Sequence, residues 1–205
     1  KKRPIASGKI SVKNSLIYVV ILCSIAFVIL VQFNLLTIIL GLCSMLLAFS
    51  YPFMKRITYW PQLFLGLTFN WGIIMAWTAM NNDISLEIIF LYIAAIFWTL
   101  GYDTIYGAQD MADDEIIGLK STSLKFKKDI KLFVGISYLI TLVLIVYLFL
   151  GEMGKNLFSL LLLLFAISLI LQLINFDKNN PQKCLSSFKL NNYSGLLLFL
   201  TILKI

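Results

Sequence analysis

The chain contains no histidine. That removes imidazole metal ligands and histidine acid–base chemistry. Cysteine is nearly absent: Cys23, Cys43 and Cys184 are the whole set. Their spacing matches neither a metal-ligand pattern nor a disulfide framework. Charge is scarce as well. Asp, Glu, Lys and Arg make up 13% of the residues, and only ten are acidic. No charged residue occurs from Asn14 to Met54, from Ile57 to Asn82, from Leu132 to Gly151, or from Asn156 to Phe176. Charge gaps of that length exclude an ordinary water-soluble domain.

In a chain that is 60% hydrophobic, those gaps read as membrane spans, each needing about 20 apolar residues. The first gap is long enough for two spans, broken at Gln32-Phe33-Asn34. The third span covers roughly Pro61–Met80, the fourth Leu86–Ile105, the fifth Leu132–Leu150 and the sixth Leu157–Ile174, with a short seventh at about Tyr193–Leu203. Backbone groups in lipid must bond within their own segment, so the expected fold is all-α, a polytopic helical membrane bundle of about seven transmembrane helices.

Positive-inside counting orients it. Clusters at Lys1–Lys13, Lys55–Arg56, Lys120–Lys131 and Lys178–Lys189 fall on one side when the spans alternate. Only Lys155 and Lys204 fall on the other, so 15 of 17 basic residues agree. The net charge of +7 follows from this rule, and no nucleic-acid partner is inferred. The first segment is basic and polar, unlike a secretory signal.

Five acidic residues lie in the stretch from Gly101 to Glu115, at the cytoplasmic end of the fourth span. Carboxylates are costly at a membrane edge unless neutralised. At helical spacing Asp103, Asp110 and Asp114 share one face, with Tyr106 between them. Asp110 and Asp114, one turn apart, can reach one hard cation. Mg²⁺ suits them, because it takes one or two carboxylates and leaves its other positions to water and substrate phosphates. The ordinary reading of this stretch is a solvated loop whose acids pair with the lysines that follow. Lys55-Arg56, Arg3 and Lys120 have ordinary readings as topology anchors, and Tyr51 as part of an interfacial aromatic belt. Together, on one side of the membrane, they supply the cations that a metal-bound diphosphate needs beside its carboxylates.

The segment Tyr102-Asp-Thr-Ile-Tyr-Gly-Ala-Gln-Asp-Met-Ala-Asp-Asp-Glu115, followed by Gly118-Leu-Lys-Ser-Thr-Ser123, resembles the second aspartate-rich motif of the intramembrane UbiA-type aromatic prenyltransferases. Within that family it is most like the 4-hydroxybenzoate polyprenyltransferases. Tyr51-Pro-Phe-Met-Lys55 resembles their Tyr-x-x-x-Lys segment, and Pro61-Gln62, Gly66 and Trp71-Gly72 continue the likeness. Arg3-Pro4-Ile5-Ala6-Ser7-Gly8 resembles the residues that follow their first aspartate-rich motif. That first motif, Asn-Asp-x-x-Asp-x-x-x-Asp, does not occur in the chain. By resemblance, residues 1–205 are a single transmembrane prenyltransferase domain, incomplete at its N-terminus, with two further spans upstream bringing the total to nine. A separate N-terminal portion carrying the first motif is the partner this implies.

The resemblance implies transfer of a polyprenyl group from polyprenyl diphosphate to the ring of 4-hydroxybenzoate, ortho to the hydroxyl, in ubiquinone biosynthesis. It implies Mg²⁺ as cofactor, embedding in membrane lipid, and a bacterial or mitochondrial inner membrane with the active site facing the cytoplasm or matrix. Asp110 and Asp114 carry over as catalytic metal–diphosphate ligands, with Asp113 in the outer shell. Asp103 either orients substrate or accepts a proton. Lys55 and Lys120 hold diphosphate oxygens; Arg56 pairs with diphosphate or with the acceptor's carboxylate. Tyr51, Tyr102 and Tyr106 line the pocket and face positive charge. The competing readings are another acceptor, such as a naphthoate or haem, an inactive remnant, and a small transporter. A transporter places its charges inside the spans, and these spans are nearly charge-free. A CDP-alcohol phosphotransferase needs an Asp-Gly-x-x-Ala-Arg signature that the chain lacks.

Overall fold

The structure, a computed structural model, describes residues 4–154 and 156–203. Among them are ten α-helices and one short 3₁₀ turn, with no strand. Arg3, together with Lys1, Lys2, Lys155 and Lys204, lies outside the described residues.

Helix α1 (Val12–Leu30) begins at Ser11, whose side chain accepts the Asn14 N–H. None of its residues is buried. A helix apolar on every side is stable only where lipid surrounds it. Helix α2 (Leu35–Ile57) starts at Asn34, which does two jobs. Its carbonyl oxygen caps α2 by accepting the Thr37 N–H at 2.9 Å. Its amide donates to the Thr78 carbonyl at 2.7 Å and so ties this end of the bundle together. Lys55 and Arg56 fill the last turn of α2, where cations suit the helix dipole.

The third span is present but broken. It forms α3 (Pro61–Phe69) and α4 (Trp71–Asn81), interrupted at Asn70. The Asn70 amide donates to the Gly66 carbonyl at 2.9 Å, the Ala95 carbonyl at 3.2 Å and the Thr99 hydroxyl at 2.8 Å. The polar side chain thus spends its hydrogen bonds on the break and on the neighbouring helix. That neighbour, α5 (Leu86–Ala108), is the central element, with eleven buried residues. Two short helices follow, α6 (Met111–Ile117) and α7 (Thr122–Lys125), and then α8 (Ile130–Leu148) and α9 (Leu157–Asn175).

The last helix, α10 (Pro181–Ile202), is longer than the span expected at Tyr193–Leu203, because a polar first half extends it toward the site. Among the described residues six spans are long and apolar enough to cross a membrane, with α3 and α4 counting as one. α10 does not meet that criterion among the described residues, since Gln182, Lys183, Ser186, Ser187, Lys189, Asn191 and Asn192 dilute it.

The core lies among α5, α8, α9 and α10, where Ile105, Val134, Phe165 and Leu169 are fully or almost fully buried. A buried polar chain crosses it. The Tyr138 hydroxyl donates to Gln172 Oε1 at 2.6 Å, and Gln172 Nε2 donates to Ser194 Oγ at 2.8 Å. Ser168 Oγ donates to the same serine at 2.7 Å. Lipid tails are as apolar as leucine, so such interhelical bonds and close packing replace the hydrophobic effect as the glue of a membrane bundle.

Candidate active site

The acidic stretch is not one continuous helix. α5 stops at Ala108, and two tight turns follow: the Gln109 N–H reaches the Tyr106 carbonyl and the Asp110 N–H the Gly107 carbonyl. Asp110 then stands at the N-terminal boundary of α6. Asp103 therefore belongs to one helix and Asp114 to another, which corrects the expectation of a single shared helical face. The pairing of Asp110 with Asp114 survives the break, because the Asp114 N–H donates to the Asp110 carbonyl at 2.8 Å, one helical turn away.

The last turn of α5 before the break is tightly packed. A Cβ at Gly107 would lie 2.9 Å from Ser123 Oγ and 3.1 Å from Gln62 Nε2, so only glycine admits such close approach here. The chain leaves α6 through Gly118, at φ +78°. In that left-handed conformation the Leu119 N–H closes back on the Asp114 carbonyl at 2.8 Å.

The returning segment is then fastened to three helices. The Lys120 N–H donates to the Lys55 carbonyl at 2.8 Å. The Thr122 N–H donates to Gln62 Oε1 at 2.9 Å. Thr104 and Thr122 share a hydroxyl hydrogen bond of 2.7 Å, and Ser123 Oγ donates to the Thr104 carbonyl at 2.8 Å. Gln62, Thr104, Thr122 and Ser123 are all buried. None of them is charged, and their only signal in the sequence is membership of the segments that carry the family likeness: Pro61-Gln62, Tyr102-Asp-Thr104 and Lys120-Ser-Thr-Ser123.

Asp114 is the buried acid, at 6% exposure. Among the described residues its Oδ2 has no hydrogen-bond partner, and the cation paired with it is Lys55, Nζ at 3.8 Å. Among the described residues, an acid loop paired with its following lysines is realised only at Glu115, which meets Lys127 at 2.7 Å. Asp110 is half-buried and Asp113 exposed. Burial lifts the Asp110 carboxyl above its ordinary pKa, and the negative charges of Asp114 and Asp113 lift it further, while Lys55 pulls the other way. The Lys55 charge also acts on Asp103, and Asp103 in turn on Tyr51. Lys55 is thus common to all the acids expected at the site except the exposed Asp113.

The other expected residues divide. Tyr102 and Tyr106 form an aromatic wall with Phe188 of α10, with ring centroids 5.9 and 4.8 Å away. Phe188 had no signal in the sequence, because only the tertiary packing brings α10 there. Arg56 is exposed. Lys120 is turned to α2: its Nζ donates to the Ile57 carbonyl at 3.1 Å and lies 5.6 Å from the centre of the Tyr59 ring.

The end of the bundle that carries the acids also gathers the basic clusters. Lys178 Nζ reaches the Lys127 carbonyl at 2.9 Å, which joins the α9–α10 connection to the segment after α7.

Among the described residues no three Asp, Glu, Cys or His side chains close into a metal cage. The donor set is smaller: Asp110, and Asp114 with its unpartnered buried oxygen. Asp110 and Asp114 would suit a Mg²⁺ ion, which takes one or two carboxylates and leaves the rest of its shell to water and substrate phosphate. The residues fit that ion and fit a closed structural site poorly.

Residues 1–196 match the model of the UbiA prenyltransferase family. The chain is 40% identical over 202 residues to a mitochondrial 4-hydroxybenzoate polyprenyltransferase of Bos taurus, covering 98% of this chain and 54% of the relative. It is 38% identical over 201 residues to a 4-hydroxybenzoate octaprenyltransferase of Vibrio vulnificus, covering 98% and 70%. The chain thus spans about half the length of the bovine relative. In structure it is similar to the apo form of a UbiA homologue from Aeropyrum pernix K1, with TM-score 0.81 and 23% identity, over 98% of this chain and 76% of that one. A digeranylgeranylglyceryl phosphate synthase has the same fold, with TM-score 0.71 and 16% identity, over 98% and 72%.

Proposed function

The chain belongs to the UbiA prenyltransferase family, and from that premise we propose that its acidic end transfers a polyprenyl group from polyprenyl diphosphate to the ring of 4-hydroxybenzoate, ortho to the hydroxyl. The pathway served is ubiquinone biosynthesis, in a bacterial or mitochondrial inner membrane, with the acidic end facing the cytoplasm or matrix. The observation that carries the reading is the buried, unpartnered oxygen of Asp114 set 3.8 Å from Lys55. A desolvated carboxylate left short of partners is costly, and a site for a cation and a diphosphate gives that cost a use.

Asp110 and Asp114 would hold Mg²⁺, which when bound supplies charge neutralisation for the departing diphosphate. Lys55 and Arg56 bind diphosphate oxygens, one as a compact point charge and the other as a planar fork. As the allylic carbon–oxygen bond breaks, the electron pair leaves with the diphosphate. The ring carbon ortho to the hydroxyl then forms the new carbon–carbon bond, and loss of its proton restores the aromatic ring. Tyr102, Tyr106 and Phe188 offer ring faces to the allylic cation and keep water from it. Asp103, half-buried on α5, is the acceptor for the ring proton.

The test joins residues 1–205 behind the N-terminal part of the Vibrio vulnificus relative, so that a first aspartate motif is present whatever precedes Lys1. In lipid vesicles with Mg²⁺, an allylic polyprenyl diphosphate and 4-hydroxybenzoate, mass spectrometry should detect the prenylated acid, and Asp114→Asn should abolish it. Full product formation by Asp114→Asn would overturn the reading.

A further inference from the structure

We propose that Lys55 is a displaceable counter-ion: its ammonium neutralises the acidic cluster while no divalent cation is present, and passes to the diphosphate when a cation arrives. This rests on the prenyltransferase reading of the same site and adds to it a rule of binding order, in which metal and diphosphate each tighten the other's hold through one lysine.

The pair is asymmetric. The Asp114 side chain is 8% exposed and the Lys55 side chain 42%, so the acid is fixed and the base can move. The Lys55 backbone is held, because its carbonyl accepts the Lys120 N–H at 2.8 Å. Only the flexible four-carbon stem is left to swing. The separation of 3.8 Å is an ion pair without a hydrogen bond, and Asp114 Oδ2 has no other partner among the described residues. Lys55 therefore supplies charge to that oxygen without saturating it. The same ammonium acts on Asp110 and Asp103, so its departure would leave mutually repelling carboxylates uncompensated. It can leave only if another cation replaces it.

The reverse holds as well. A divalent cation on the Asp114 carboxylate would face the lysine across a few ångströms of partly desolvated space, where like charges repel strongly. An incoming diphosphate relieves that repulsion by taking the ammonium. Coupling of this kind is reciprocal by thermodynamic necessity. Free metal should therefore bind weakly, and metal with diphosphate tightly.

The experiment uses the 205-residue chain in phosphatidylcholine nanodiscs, with Mn²⁺ as the probe read by electron paramagnetic resonance, with and without inorganic pyrophosphate at matched free Mn²⁺. Without pyrophosphate, Lys55→Met should bind Mn²⁺ about tenfold more tightly than the parent chain, within the usual range of site-to-site coupling. Pyrophosphate should tighten Mn²⁺ binding in the parent and much less in Lys55→Met. Lys55→Arg, which keeps the charge, should behave like the parent in both arms, and Lys55→Gln like Lys55→Met. A gain in affinity does not come from a misfolded variant, so the expected result separates itself from damage. Unchanged or weaker Mn²⁺ binding in both neutral variants would overturn the counter-ion role and leave the prenyltransferase reading standing. Mn²⁺ binding that Asp114→Asn does not weaken would remove both.

Discussion

Gln62 on α3 touches both ends of the acidic segment: its Oε1 accepts the Thr122 N–H at 2.9 Å, and its Nε2 lies against Gly107, where a Cβ would come within 3.1 Å. One uncharged side chain, 2% exposed, thereby packs beside the last turn of α5 and holds the returning chain where it re-enters the bundle. The aspartates between those points inherit their positions from it.

Replacing that side chain with leucine should loosen the segment. Gln62→Leu leaves the Thr122 N–H buried without an acceptor, a cost of about 1–3 kcal/mol. Hydrogen exchange should accelerate across residues 109–121 and stay unchanged in α8 and α9. Gln62→Glu, which keeps the acceptor oxygen, should protect the Thr122 amide better than leucine does. Equal exchange in all three proteins would show that the clamp contributes nothing.

The metal assignment separates Asp110 and Asp114 from other acids. In the chimera with a first aspartate motif, Asp110→Asn and Asp114→Asn should each lower turnover by about a hundredfold or more, the scale of losing an electrostatic stabiliser. Asp129→Asn, at the start of α8, should leave turnover nearly unchanged. Equal losses at all three positions would indicate a folding defect.

Lys120 is where family resemblance and geometry diverge. Its ammonium bonds the Ile57 carbonyl at the end of α2. Lys120→Met should therefore lower thermal stability slightly, by about 1 kcal/mol or less for so exposed a contact, while pyrophosphate affinity changes by less than about twofold. A tenfold loss of pyrophosphate binding would return Lys120 to the diphosphate.

The orientation is open to labelling. In a cysteine-free background, single cysteines at Asn82 and Gly154 should react from the side opposite to Glu115 and Asn179, all four being exposed. Mixed sidedness within either pair would exclude the alternating topology.

The spans were legible because lipid imposes a local rule: a charge within a span is expensive wherever the helix packs, so the charge gaps from Asn14 to Phe176 mark the helices directly. The break at Asn70 was not legible. An asparagine inside an apolar run shows only that it needs partners, and those at Ala95 and Thr99 lie on another helix. The same limit explains the acidic stretch. Ala108-Gln109-Asp110-Met111 has ordinary helical propensity, and nothing local in it marks the two turns that close on the Tyr106 and Gly107 carbonyls. The i, i+4 pairing of Asp110 with Asp114 was legible because it is local. Composition alone makes Lys55 and Arg56 equal as topology anchors; the Tyr-x-x-x-Lys resemblance singles out Lys55, and its placement 3.8 Å from Asp114 sets it apart from the exposed Arg56 in space.

The buried chain through Tyr138, Gln172, Ser194 and Ser168 bears on how the C-terminal hairpin finds its alignment. α9 and α10 are lined with leucines that offer nearly interchangeable contacts, so packing alone would tolerate several alignments one turn apart. Sliding α10 by one turn would bring Leu190 or Leu198 to the place of Ser194. Gln172 Nε2 would then face hydrocarbon with no acceptor, Ser168 Oγ would keep only its bond to the Phe165 carbonyl of its own helix at 2.6 Å, and the Tyr138–Gln172 pair would lose its continuation. Each such alignment thus carries the penalty of an unmet amide donor in a medium without water. Four side chains give the hairpin a single register that its leucines could not define.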